Sequence, residues 1–158
     1  MTRTGLIEEP LTHSVIGAFY DVYNALGFGF LEHLYVMALE RELRARGHVV
    51  ALEVAVRVMY KGCELGTQRI DMIVDDKVIV ETKSTPQLPR AAARQLYNYL
   101  RAAGIQVGLL LHFGPEPKLC RLVCEYPKKN PRNPLNPLNL VQLSDPDPTL
   151  ASVKESAP

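Results

Sequence analysis

The chain is poor in features that mark several common protein classes. It has three cysteines, Cys63, Cys120 and Cys124. An odd number speaks against a disulfide framework and for a reducing compartment. None of them forms a C-x-x-C pair, which argues against an iron–sulfur cluster or a structural zinc. His13, His33, His48 and His112 lack metal-ligand spacing such as H-x-x-x-H and read as structural or exposed. No apolar run reaches the roughly 18 residues of a membrane span. The opening "MTRTGLIEEP" has no apolar signal core. The expectation is a soluble, cytoplasmic protein without a membrane partner. Charge of one sign is also scarce, since the formal net charge is +1. No overall field draws the protein to a polyanion, so any such contact must come from a local basic patch.

What is present suits one domain with some extra length: 158 residues, 47% of them apolar. Val15, Ile16, Phe19, Val22, Tyr23 and Leu26 recur at helical spacing and predict a helix over 11–26. Gly27 and Gly29 break it. A second helix is expected over 30–46, stopped by Gly47. Strands are expected over 49–60, 65–74 and 77–83, with "KGCELG" as the first turn. Pro86 and Pro89 stop the third strand and precede a helix over 90–103. Strands over 107–113 and 118–126 follow. The order ααβββαββ places a helix between strands three and four, the crossover that lets them lie parallel. The fold class expected is α/β in the broad sense, an α+β mixed sheet with helices packed on its faces. From Pro127 the composition changes: seven prolines fall within the last 32 residues, including the run "NPRNPLNPLN". Residues 127–158 therefore read as a Pro-rich tail or strap beside a domain over 1–126.

The stretch "RIDMIVDDKVIVETK" (69–83) carries the main anomaly. Its apolar runs look like central, covered strands, yet Asp71, Glu81 and Lys83 sit within or beside them. Glu81 and Lys83, two apart, share a face. If Asp75–Lys77 form a three-residue loop, Val74 pairs with Val78 and Asp71 falls opposite Glu81. Carboxylates that close repel unless a cation lies between them. A divalent metal would serve, and Lys83 could do part of it.

Two helices add further inward polar groups. In "GFLEHLYVMALERELRARG" the polar stripe is His33, Glu40, Arg41 and Arg44. Glu32 instead shares a face with Tyr35, Val36, Leu39 and Leu43. A helix-dipole role also suits an acid at that position. In "PRAAARQLYNYLRAAG" Arg90, Arg94, Tyr97 and Arg101 form one stripe. Gln95 and Tyr99 lie on the other with Ala91, Ala92 and Ala102, small residues that would let the helix approach the sheet closely. A buried Gln there needs a hydrogen-bond partner. One shared site would account for Glu32, Asp71, Glu81, Lys83 and Gln95 together.

Taken in order, these motifs resemble a known family. "GFLEHLY" is similar to a G-x-x-E-x-x-Y signature through Gly29, Glu32 and Tyr35. "RIDMIVDDKVIVETK" resembles the D-x(n)-E-x-K core of the PD-(D/E)XK nuclease superfamily through Asp71, Glu81 and Lys83. "QLYNYL" resembles the Q-x-x-x-Y pattern of its exonuclease-like branches through Gln95 and Tyr99. "VGLLLHFG" is similar to its late strand, with His112 where Asn is expected; Ile70 stands where the name-giving proline would. The resemblance spans about residues 11 to 126. It implies a restriction-endonuclease-like core and a metal-dependent nuclease or, as the alternative, a non-catalytic nucleic-acid- or protein-binding module that keeps the fold. It further implies Mg²⁺ or Mn²⁺ on Asp71, Glu81, the Thr82 carbonyl and Glu32. Lys83 would orient a water, and Gln95 would position a ligand or phosphate. Tyr99 and Arg94 would contact substrate, and Tyr35 would either do so or support Glu32. The implied partner is nucleic acid, DNA ahead of RNA, with a homodimer allowed.

Overall fold

The structure, a computed structural model, describes residues 6–125. The Pro-rich segment 127–158 lies outside the described residues. Eight elements follow in the expected order: α1 (Glu9–Leu26), α2 (Glu32–Ala45), β1 (Val50–Tyr60), β2 (Cys63–Val74), β3 (Val78–Lys83), α3 (Ala92–Ala103), β4 (Val107–Phe113) and β5 (Pro117–Val123). Among the described residues no helix is long and apolar enough to cross a membrane.

The strands form one sheet in sequential order. β1–β2, β2–β3 and β4–β5 are antiparallel, and β3–β4 is parallel through the α3 crossover. The two strands buried along their length, β3 and β4, are central. Their apolar residues have no solvent face, as expected for covered parallel strands. On one face α1 and α2 pack Val15, Phe19, Val22, Tyr35, Leu39 and Leu43 against Val78, Val80, Leu109, Leu111 and Phe113. On the other face α3 packs Leu96, Tyr99, Leu100 and Ala103 against Ile79, Leu110 and Leu122. Cys120 and Cys124 also lie under α3 as buried thiols, in keeping with small apolar roles.

Several boundaries differ from expectation. β2 starts at Cys63 rather than Leu65, because Lys61 and Gly62 alone make the turn, with φ of 46° and 80°. β5 ends at Val123 rather than at Tyr126. α1 begins at Glu9, with a proline in its first turn, where the missing N–H costs nothing. α3 begins at Ala92, and alanine is not the only small residue between it and the sheet. A Cβ on Gly108 would stand 2.9 Å from Leu96 Cδ1, so the strand supplies the room. Tyr97 was expected on one stripe with Arg90, Arg94 and Arg101; it is 2% exposed and packs in the core under α3.

One irregularity positions the site. Leu52 pairs with Met72 and Val54 with Ile70, but Glu53 and Asp71 between them are unpaired. Glu53 has φ of 49°, which a non-glycine residue rarely adopts. On one side of this break Leu52 and Met72 pack under α1 and α2. On the other, Val54 and Ile70 pack under α3. Residues two apart thus change faces, and the ladder opens at Asp71. Strand irregularities of this kind re-aim side chains and occur beside active sites.

Candidate active site

The β2–β3 hairpin has the expected register. Asp75 and Asp76, at φ of 52° and 55°, turn the chain, and Val74, Ile73 and Met72 pair with Val78, Ile79 and Val80. One step further the regular ladder ends, and side chains take over. The Asp71 N–H donates to Glu81 Oε1 at 3.1 Å. In return, Asp71 Oδ2 accepts from the Thr82 N–H at 3.0 Å and from Thr82 Oγ1 at 3.1 Å. Each carboxyl group reaches across to the backbone of the opposite strand, and together they hold the pair open where Asp71 leaves the sheet.

Glu81 is 3% exposed. Burial, and then the charge of Asp71, push its carboxyl up to about 8, against an ordinary 4.5; the Asp71 N–H and then Lys83 pull it back only in part. Glu32, the first residue of α2, is half-buried above the same strand ends. Its Oε2 accepts from the Ser84 N–H at 3.3 Å. Burial raises its pKa, the Lys83 ammonium lowers it and Asp71 raises it again. Three carboxyl groups from one helix and two strands therefore feel one another, with Lys83 among them.

Tyr99 is 6% exposed. Burial, then Glu81 and Asp71, raise its hydroxyl's pKa, which places that hydroxyl in the field of the acidic pair. It accepts from Gln95 Nε2 at 2.9 Å. Gln95 itself is not inward as expected but exposed. The inward stripe of α3 is Ala92, Leu96, Tyr99, Leu100 and Ala103, and Gln95 stands at its margin, reaching back to the tyrosine. Arg94 is exposed too, with its guanidinium 5.6 Å from the Tyr97 ring centroid. Tyr35 is corrected as a substrate contact. It is fully buried and stacked on Phe113 at 4.1 Å. Its hydroxyl donates to the Gly27 carbonyl at 2.6 Å and accepts from the Phe30 N–H at 3.3 Å. It supports the turn that leads into Glu32.

Three neighbours have hydrogen-bonding roles that the sequence reading did not give them. Thr82 was considered for its carbonyl, whereas its N–H and hydroxyl hold Asp71. Ser84 anchors Glu32 and, through Oγ, the Phe30 carbonyl at 2.6 Å. His112, 1% exposed, lies beside Lys83 in the parallel ladder and donates from Nε2 to the Thr85 carbonyl at 2.7 Å. Its Nδ1 is buried with no hydrogen-bond partner among the described residues. The polar run "ETKST", straight after an apolar strand, was the available signal for the first two.

The donor set suits a hard divalent cation: oxygen ligands only, held close enough that their charges oppose ionisation. Among the described residues no three histidine, cysteine, aspartate or glutamate side chains converge tightly enough to enclose an ion unaided. Each of the three carboxyl groups spends one oxygen on a hydrogen bond: Glu32 with Ser84, Asp71 with Thr82 and Glu81 with the Asp71 N–H.

A mixed sheet with two helices on one face, one on the other and an acidic pair at a strand break defines a restriction-endonuclease-like domain. The sequence model of the PD-(D/E)XK nuclease superfamily matches residues 9–122, and the chain belongs to that superfamily. No curated protein matches. The crystal structure of SSO0001 is similar at a TM-score of 0.49 and 20% identity, over 76% of this chain and 61% of that one. The chain thus spans about three fifths of that protein's length.

Proposed function

We propose that the protein is a metal-dependent nuclease that hydrolyses phosphodiester bonds, in DNA ahead of RNA, within the G-x-x-E-x-x-Y branch of its superfamily. The observation that carries this reading is Glu81. A carboxyl group 3% exposed, set beside Asp71 and pushed up to about 8, is a poor structural choice. Strongly perturbed groups with a specific charge partner cluster at functional sites. Asp71 and Glu81 would hold one Mg²⁺ or Mn²⁺, with the Thr82 carbonyl and Glu32 completing the set. Such an ion supplies polarisation of a phosphate oxygen and acidification of a bound water.

The chain's own groups do the rest. Thr82 fixes the Asp71 carboxylate through two hydrogen bonds. Ser84 fixes Glu32. Lys83 orients the attacking water and offsets charge that develops on the phosphate. Tyr99, held by Gln95, presents a hydroxyl beside the acidic pair to a phosphate or a nucleotide. Arg94 contacts the nucleic-acid backbone.

The near-neutral net charge of +1 favours the second reading, a non-catalytic nucleic-acid- or protein-binding module. Cleavage assays separate the two. Labelled single- and double-stranded DNA and RNA are incubated with Mg²⁺, Mn²⁺ or EDTA, using wild type and Lys83→Ala. Metal-dependent cleavage by the wild type, lowered roughly 100- to 1,000-fold in Lys83→Ala with metal binding kept, is the expected outcome. No cleavage of any substrate with either metal would leave the binding module.

A further inference from the structure

The turn between α1 and α2 exposes three large apolar side chains within four residues. Phe28 is 44% exposed, Phe30 48% and Leu31 69%. Exposed groups clustered in this way mark contact sites more often than chance. Looseness of the turn is not the cause, because its backbone is held at three points. Tyr35 Oη donates to the Gly27 carbonyl at 2.6 Å and accepts from the Phe30 N–H at 3.3 Å. Ser84 Oγ donates to the Phe30 carbonyl at 2.6 Å. That last bond ties the turn to the residue after Lys83. Two positions along, Glu32 binds the Ser84 N–H. The turn is therefore a wall of the acidic site.

Its conformation presents the rings outward. Gly27 and Gly29, at φ of 69° and 114°, flank Phe28 with backbone that side-chain-bearing residues rarely adopt. Phe30 is braced edge-on against Tyr35, with ring centroids 6.2 Å apart at 73°, and stays half open to solvent.

We propose that Phe28 and Phe30 form a stacking subsite for unpaired nucleobases, so that the preferred substrate is single-stranded or splayed next to the bond that is cut. This rests on the nuclease reading above. A base stacks on an aromatic ring only when its own face is free, as in a single strand, a flap or a frayed end. Paired bases inside a duplex hide those faces. The low net charge agrees, since affinity drawn from stacking needs fewer phosphate contacts and falls less steeply with salt.

The test measures binding in EDTA by fluorescence anisotropy, with labelled single-stranded, splayed and blunt duplex oligodeoxynucleotides, for wild type, Phe28→Leu, Phe30→Leu and Phe30→Tyr. Leucine keeps the apolar volume and removes the ring; tyrosine keeps the ring. Each leucine variant is expected to weaken single-strand binding by roughly 5- to 150-fold, the range for loss of one base–aromatic stack. Phe30→Tyr should bind like wild type, and 2-aminopurine in the strand should be quenched less by each leucine variant than by wild type. Three results would overturn the proposal: unchanged single-strand binding in both leucine variants, equal affinity for blunt duplex, or a wild-type dimer that dissociates when the phenylalanines are replaced. If wild type cuts DNA with Mn²⁺ while the leucine variants bind as it does, the subsite alone fails. If wild type neither binds nor cuts any of the oligonucleotides, the nuclease reading fails and takes the subsite with it.

Discussion

Replacing Glu81 with glutamine should make the metal-free protein more stable, and the gain should grow with pH. The folded protein holds the Glu81 carboxyl at about 8, against 4.5 when free. Between those values the folded state binds more protons than the unfolded state, so stability falls as pH rises. The span is 8 − 4.5, about 3.5 pH units, and each unit is worth 1.36 kcal/mol. The wild type therefore loses about 5 kcal/mol in full above pH 8, and about 3 kcal/mol of that by pH 7. Glutamine does not titrate, and its amide oxygen can still accept from the Asp71 N–H. The stability difference between Glu81→Gln and wild type should be near zero at pH 4.5, about 3 kcal/mol at pH 7 and about 5 kcal/mol at pH 9. Urea denaturation in EDTA at several pH values measures it, because titrating groups remote from Glu81 cancel between the two proteins. Mn²⁺ should narrow the gap at pH 9, since it stabilises only the protein that binds it. A difference that does not grow with pH, or a glutamine variant less stable at pH 9, would refute the reasoning.

Other perturbations test the frame around the site. Gly108→Val drives side-chain atoms into Leu96, which a Cβ alone would already approach to 2.9 Å. It should cost about 1–3 kcal/mol, read as a lower urea midpoint at unchanged slope. Tyr35→Phe leaves the Gly27 carbonyl and the Phe30 N–H without their partner and should cost about 1–3 kcal/mol. It should also speed hydrogen exchange at the Phe30 amide, and no such change is expected at β4.

Periodicity and breakers carried most of the fold. Alternate burial, two prolines and the glycine stops place all eight elements in order, because each of those signals is local. The register of β2 against β3 was legible for the same reason: a short turn fixes it. The Glu53–Asp71 break was not. It depends on a glutamate at positive φ opposite an aspartate that has left the ladder, and neither residue type announces that. Gln95 was misplaced because alanines on both sides of α3 blur which face is inward. Contacts such as Leu96 against Gly108, 12 apart in sequence, decide the rotation. Tyr35 could be read either way until its hydroxyl had partners. The exposure of Phe28 and Phe30 was also hidden, since no periodicity in a short turn tells which way its side chains point.

The central claim is that Asp71 and Glu81 take up a divalent cation in place of a proton. Titration calorimetry with Mn²⁺ at pH 7, in two buffers of different ionisation enthalpy, counts that proton directly. With the Glu81 carboxyl near 8, binding should release about 0.9 proton at pH 7 and about 0.1 at pH 9, and Asp71→Asn should abolish the heat. Mn²⁺ binding with no proton released at pH 7, or binding undiminished in Asp71→Asn, would contradict it.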